Sequence, residues 1–140
     1  MQGYNCIVVF NPLRDKILFC KRTSDPYKGL YNLVGGKVEP GEGGAHAAYR
    51  ELFEETGISD QDICLKHMMD FTYYNQGCYM EVYVGTLKKQ VVLKSEKHPL
   101  FWLDTDEDFF SMDKFAGEGN IGHMMKQINI YGEGEQAENV

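Results

Sequence analysis

The stretch 35–58, GGKVEPGEGGAHAAYRELFEETGI, constrains this chain more than any other, because it runs a glycine-rich turn into one helix and loads that helix with acids. Gly57 suits the left-handed position that ends a helix, which places the preceding residues in a helix starting near Gly43. Glu51, Glu54 and Glu55 then stand at i, i+3 and i+4 and share one patch of its surface, expected to face outward. They fall in the last turns, where the macrodipole disfavours each acid by about 0.3–1 kcal/mol. With no Lys in the adjoining turns, the cluster calls for a positive charge from outside the chain. Carboxylates without Cys or His partners suit a hard divalent cation such as Mg2+ or Mn2+. Most exposed glutamate-rich helices are only solvated faces, and the turn is what sets this one apart. Gly35 and Gly36 let bare backbone approach a metal or a phosphate where a side chain would stand in the way.

Gly36, Glu42, Arg50-Glu51-Leu52, Glu54-Glu55 and Gly57-Ile58 make nine positions of fixed type and spacing over 23 residues. This is the Nudix box without departure, and the chain resembles the Nudix hydrolases. The resemblance implies a mixed β-sheet sandwiched between helices, an α/β (α+β) fold. It implies hydrolysis of a nucleoside diphosphate linked to a further group, with Mg2+, or Mn2+ in its place, held by the box glutamates. Glu51, Glu54 and Glu55 would be the metal ligands, with Gly35 lending a carbonyl. Arg50 would orient the carboxylates and Glu42 would assist from the turn.

Around the box, β-rich runs at Tyr4–Phe10 and Lys16–Lys21 flank the turn-forming Asn11-Pro12-Leu13-Arg14-Asp15 and predict a hairpin. A loop from Arg22 to Leu30 delivers a short strand, Tyr31–Val34, to the glycine turn. Lys21 and Arg22 stand at the mouth of that loop, where they could meet phosphate oxygens or simply be solvated. In the helix, Ala45, Ala48, Tyr49 and Leu52 predict the stripe that packs on the sheet. Ile63–Tyr74 and Cys78–Leu87 read as a second hairpin, Val91–Leu93 and Leu100–Leu103 as further strands, and Ile121–Ile128 as a helix ending near Gly132. The polar tail, 133–140, reads as disordered.

The flanks bear on the substrate. Phe71, Tyr73, Tyr74, Met80 and Tyr83, with Trp102 and Phe115, could line a slot for a stacked nucleobase or could equally be core. Tyr31-Asn32 before Val34-Gly35-Gly36-Lys37, the run Met80-Glu81-Val82-Tyr83-Val84, and Phe115-Ala116-Gly117-Glu118 resemble stretches of the oxidised-purine nucleoside triphosphatases, the 8-oxo-dGTP diphosphatase branch. That narrower resemblance implies that Asn32 bonds the purine, that Phe71, Met80 and Phe115 wall it, that Asn5 lies beneath, and that Glu118 reads the base edge. The branch carries two adjacent acids where this chain has Gly117-Glu118. Glu96, ahead of Pro99, matches an acidic position that ligates metal or acts as base. The resemblance implies release of a nucleoside monophosphate and pyrophosphate. ADP-ribose and dinucleoside polyphosphates are the alternative substrates, Tyr73 standing against the first and Tyr74 favouring the second. A catalytically silent nucleotide-binding module is the alternative from another class.

At 140 residues the chain is read as one domain, 1–140, large enough to bury a core. A formal charge of −7 argues against a nucleic-acid polymer as partner and leaves a small nucleotide, with metal reversing the local sign. No apolar run approaches the roughly 20 residues of a membrane span and no signal pattern opens the chain. A cytoplasmic protein without membrane attachment, monomer or homodimer, is expected. Four scattered cysteines, Cys6, Cys20, Cys64 and Cys78, form no C-x-x-C pair and no ligand spacing with a histidine, which predicts free thiols and argues against zinc.

Overall fold

A computed structural model describes residues 1–95 and 97–138. In chain order they form β1 (Gln2–Phe10), β2 (Lys16–Lys21), β3 (Tyr31–Asn32), α1 (Gly44–Thr56), β4 (Lys66–Tyr73), β5 (Cys78–Thr86), β6 (Leu100–Asp104) and α2 (Asn120–Glu138). The strands make one mixed sheet in the order β3-β2-β1-β5-β4, with β6 on the other edge of β2. β1 runs parallel to β5 from Gln2 opposite Cys78 to Phe10 opposite Thr86, and the remaining pairs are antiparallel.

Residues alternate in β1 and β2 because each strand is buried on both faces. Cys6, Val8, Phe10, Ile17 and Phe19 enter a core shared with Phe115, Ile121, Met124, Met125 and Ile128 of the α2 side. Ile7, Val9, Leu18 and Cys20 enter the opposite core, with Ala48 and Leu52 of α1. The sheet is thus sandwiched between helices, as expected.

One irregularity positions the site. β1 and β2 pair only at Phe10 opposite Ile17 and then separate. The segment 31–38 fills the split: Cys20 pairs with Asn32 on one side, while Ile7 N–H donates to Val34 O at 2.9 Å and Asn5 N–H to Gly36 O at 2.8 Å on the other. Gly35 and Gly36 therefore lie inside the sheet rather than on a free loop.

Several details differ from expectation. Ala45 is exposed, and the buried face of α1 is Ala47, Ala48, Leu52 and Thr56, with Tyr49 packed beside it. The Thr56 hydroxyl makes burial tolerable by donating to Leu52 O at 2.6 Å and accepting from Ile58 N–H at 3.1 Å. The helix ends on Gly57 at φ 80°, whose N–H donates to Phe53 O. Val91–Leu93 is not a strand; Val91 and Leu93 pack on the α1-side core from an irregular segment. Helix α2 passes Gly132 and runs to Glu138, into the stretch expected to be disordered. Gly132 and Gly134 each weaken a helix by about 1 kcal/mol relative to Ala, and the intervening and following Glu, Gln and Ala are good helix formers. No helix among the described residues is long and apolar enough to cross a membrane.

Candidate active site

Arg50 organises the carboxylates. Its Nε and Nη2 donate to the two oxygens of Glu42 at 2.7 and 2.8 Å, Nη1 donates to Glu51 at 3.0 Å and to Glu54 at 3.2 Å, and Nη2 also donates to Lys37 O at 3.0 Å. All five guanidinium N–H groups are thereby used. Glu42 also accepts from Glu39 N–H and pairs with His46. The Arg50 hydrogen bonds first, then the Glu39 N–H, hold the Glu42 carboxyl down to about 2, and the Glu42 contact, then Glu51, raises Arg50 above its ordinary value.

The acidic patch does not all face outward. Glu54 is exposed, whereas Glu51 and Glu55 are partly buried against the glycine turn. A Cβ on Gly36 would stand 2.4 Å from the Glu51 carboxylate, and a Cβ on Gly35, at φ 147°, would stand 2.2 Å from Asn5 O. Glu55 accepts the Gly35 N–H at 3.2 Å. Loss of solvent pushes Glu55 up to about 7, with Glu51 and Glu54 adding repulsion against the Gly35 hydrogen bond and Lys97. Arg50 serves Glu42, Glu51 and Glu54 and leaves Glu55 without a guanidinium contact, so the cluster retains a deficit of positive charge. Three carboxylates with no thiolate or imidazole among them, set against a backbone cradle that any Cβ would fill, fit a hard divalent ion.

A cleft of about 1140 Å³ leads away from this cluster. Glu51, Glu55, Gly35 and Gly36 line it, and so do Asn32, Met80, Glu118, Asn5 and Arg22. Asn5 is buried; its Oδ1 accepts the Gly36 N–H at 3.0 Å, and its Nδ2 is buried without a hydrogen-bond partner among the described residues. A buried amide left unmatched is costly unless something supplies an acceptor. A smaller recess of about 260 Å³ adjoins Glu51, Glu54 and Glu55.

Three residues read as binding groups do not reach the cleft. Phe115 is core, its ring 5.2 Å from both Phe19 and Phe109. Phe71 packs on the α2-side core, and Lys21 lies with its Nζ 5.4 Å from the Tyr31 ring. Glu96 lies outside the described residues. Tyr74, the residue that favoured dinucleoside polyphosphates, is 80% exposed and does not line the cleft, although Tyr73 and Gln76 do.

Other groups enter unannounced. Tyr27, Lys97 and His98 line the cleft, the last two the small recess as well, beside Tyr73, which the sequence offered for an aromatic slot, and Asn120. Tyr27 donates its hydroxyl to Glu118 Oε1 at 3.3 Å, and both residues hold left-handed backbones, φ 66° and 57°. Strained non-glycine residues gather at functional sites. Glu118 comes alongside because Ala116 N–H donates to Tyr31 O at 2.8 Å, which docks 114–118 on β3. Thr23 N–H donates to His98 Nδ1 at 3.3 Å. Partial burial, then Arg22 and Lys97, lower the His98 imidazole below its ordinary value. The pair Lys97-His98 beside Pro99 was the available sequence signal, but nothing in its spacing tied it to α1.

The NUDIX domain family model matches residues 2–123. The chain belongs to the Nudix family. It is 50% identical over 44 residues, 31% of its length, to an ADP-ribose pyrophosphatase of Methanocaldococcus jannaschii, and covers 26% of that protein. It is 45% identical over 53 residues, 38% of its length, to a Bacillus subtilis protein provisionally named an 8-oxo-dGTP diphosphatase, and covers 33% of it. The chain thus spans about a quarter to a third of the length of these relatives. Its fold matches that of a C. elegans Ap4A hydrolase with a TM-score of 0.73 at 18% identity, covering 94% of this chain and 98% of the other.

Proposed function

We propose that the protein is a divalent-metal-dependent nucleoside triphosphate pyrophosphohydrolase acting on a purine or oxidised-purine (deoxy)nucleoside triphosphate, releasing the monophosphate and pyrophosphate. The observation that carries this is one cleft lined both by Glu51, Glu55 and the bare Gly35-Gly36 backbone and by Asn32, Tyr27 and Glu118. Triphosphate belongs with the first group, and a base with N–H donors with the second, where Glu118 can only accept when ionised.

Glu51, Glu54 and Glu55, with the Gly35 carbonyl, would hold Mg2+ or Mn2+. Such an ion supplies charge neutralisation on the phosphates and a lowered pKa for the attacking water. Arg50 keeps Glu51 and Glu54 in place and pins them to the turn through Lys37 O. Arg22, Lys37 and Lys97 line the cleft as cations for phosphate oxygens. Water adds to phosphorus, a carboxylate takes its proton, and the anhydride bond breaks to give two phosphate-bearing products. Among the described residues Glu55, partly buried and joined to the Gly35 N–H, is the best-placed acceptor of that proton.

The test is Mg2+-dependent turnover of a panel of 8-oxo-dGTP, dGTP, dATP, ADP-ribose and diadenosine tetraphosphate, with the nucleotide products separated by ion-exchange chromatography and pyrophosphate assayed for the triphosphates. Turnover of the first two above the others, lost on chelation and in Glu54→Gln/Glu55→Gln, is expected. Preferential cleavage of ADP-ribose, the substrate named for the M. jannaschii relative, would overturn the triphosphate reading. Turnover that survives the double variant would overturn the metal assignment.

A further inference from the structure

We propose a second divalent-metal site on the outer edge of the sheet, formed by His67 and Asp70 of β4 and Glu81 of β5. Their ligand atoms lie within 4.8 Å of one another. His67 Nε2 is 2.5 Å from Asp70 Oδ1 and 3.7 Å from Glu81 Oε2.

The strand would not ordinarily bring these groups together. Residues three apart in a regular strand point to opposite faces. Here a bulge intervenes: His67 stands opposite Tyr83 and Met69 opposite Val82, so Met68 is the extra residue and His67 and Asp70 come to one side. Bulges re-aim side chains in this way, often beside functional sites.

The same register sets Asp70 directly opposite Glu81. Two like charges facing across a ladder destabilise it, so the pair needs a cation between its carboxylates. The imidazole sits where that cation belongs, held flat on the Tyr83 ring at 4.9 Å with 20° between planes. Its Nε2 faces the acids and can offer them either a proton or a lone pair shared with a metal. Glu81 is also only half committed. Its Oε1 packs against bare Gly44, where a Cβ would come within 2.3 Å, while Oε2 is the oxygen turned to His67.

One imidazole and two carboxylates suit a borderline ion such as Zn2+, Mn2+ or Co2+ better than Mg2+. The site is distinct from the box carboxylates: Gly44 opens α1, and Glu54 lies ten residues on, about 15 Å along the axis.

The experiment is calorimetric titration of Zn2+ at pH 7 into the Glu54→Gln/Glu55→Gln protein, which disables the box. One binding event is expected, weakened about tenfold or more by His67→Ala and by Asp70→Asn, with His67→Asp restoring part of it. Far-UV circular dichroism certifies each variant as folded. In parallel, ring 15N resonances of His67 should move on adding Zn2+. No Zn2+ heat, heat unchanged by His67→Ala, or a His67 ring that titrates with pH and ignores Zn2+ would each overturn the site, leaving an imidazolium bridging two acids.

Discussion

Arg50 grips both oxygens of Glu42, from Nε at 2.7 Å and from Nη2 at 2.8 Å. That fork ties the middle of α1 to the turn that precedes it, eight residues back in the chain. The three remaining N–H groups go to Glu51, Glu54 and the Lys37 carbonyl, so one planar group sets the positions of two proposed ligands and the edge of the glycine turn at once.

Arg50→Lys keeps the charge and loses the fork, because an ammonium cannot hold two carboxylate oxygens and three further partners in fixed directions. Misplacing reacting groups by about 1 Å costs on the order of 10²-fold in rate, and kcat/KM should fall by about that much with far-UV circular dichroism unchanged. Native kcat/KM in Arg50→Lys would show that only the charge matters.

Glu42 provides a pH signature. Unfolded it titrates near 4.5, whereas the Arg50 contacts hold it down to about 2 in the folded protein. The native state therefore favours the ionised form, and the resulting stability is complete above about pH 4.5 and lost as pH falls toward 2. Glu42→Gln should be less stable than the native protein at pH 7, with the gap closing on acidification. Urea unfolding at a series of pH values measures it, and a gap of constant size would mean that ionisation of Glu42 contributes nothing.

Adjacent glycines should fail in different ways. An Ala at Gly36 meets only the end of the Glu51 side chain, which can swing aside. Gly36→Ala should therefore fold normally and lose about 10²-fold in kcat/KM through a displaced carboxylate. An Ala at Gly35 meets Asn5 backbone and must hold φ 147°, so Gly35→Ala should lose about 1–3 kcal/mol of stability. Equal stability losses in the two would contradict the cradle described for Glu51.

The box was legible because its meaning is local. Gly57, the i, i+3, i+4 glutamates and Gly35-Gly36 act within one turn and one helix, and their spacing alone fixes who can meet whom. The β1/β2 split is not local: it depends on segment 31–38 pairing with both strands, which no hydrophobic pattern records. The aromatic residues stay ambiguous for the same reason. Phe71 and Phe115 look alike in sequence whether they line a slot or fill a core, and the docking of 114–118 on β3 turns Phe115 inward while presenting Glu118. Tyr27 and Lys97-His98 sit in loops whose aim is set by contacts such as Thr23 to His98, 75 residues apart.

Phe115 distinguishes the two roles directly. As a core residue with ring neighbours on Phe19 and Phe109, its truncation to Ala should cost about 3–5 kcal/mol. As a wall of the base slot it would raise KM at native stability. Denaturant unfolding of Phe115→Ala should show the loss in midpoint, while Phe115→Leu, largely conserving volume, should retain native KM.

The Tyr27–Glu118 contact is where base preference should be decided. An ionised Glu118 accepts hydrogen bonds and donates none, and the N1–H and amino group of a guanine-type base match it, whereas adenine N1 is an acceptor. Tyr27 donates to Oε1 at 3.3 Å, which holds one oxygen of a carboxylate that lines the cleft. A hydrogen bond to a charged group is worth about 1.5–3 kcal/mol, so Glu118→Gln should raise KM for 8-oxo-dGTP and dGTP by about 10- to 100-fold and leave dATP nearly unchanged. Tyr27→Phe frees the carboxylate without removing it and should raise the same KM by only a few-fold, with kcat intact. Equal losses on guanine and adenine triphosphates in Glu118→Gln would mean that this carboxylate supports the loop and does not read the base.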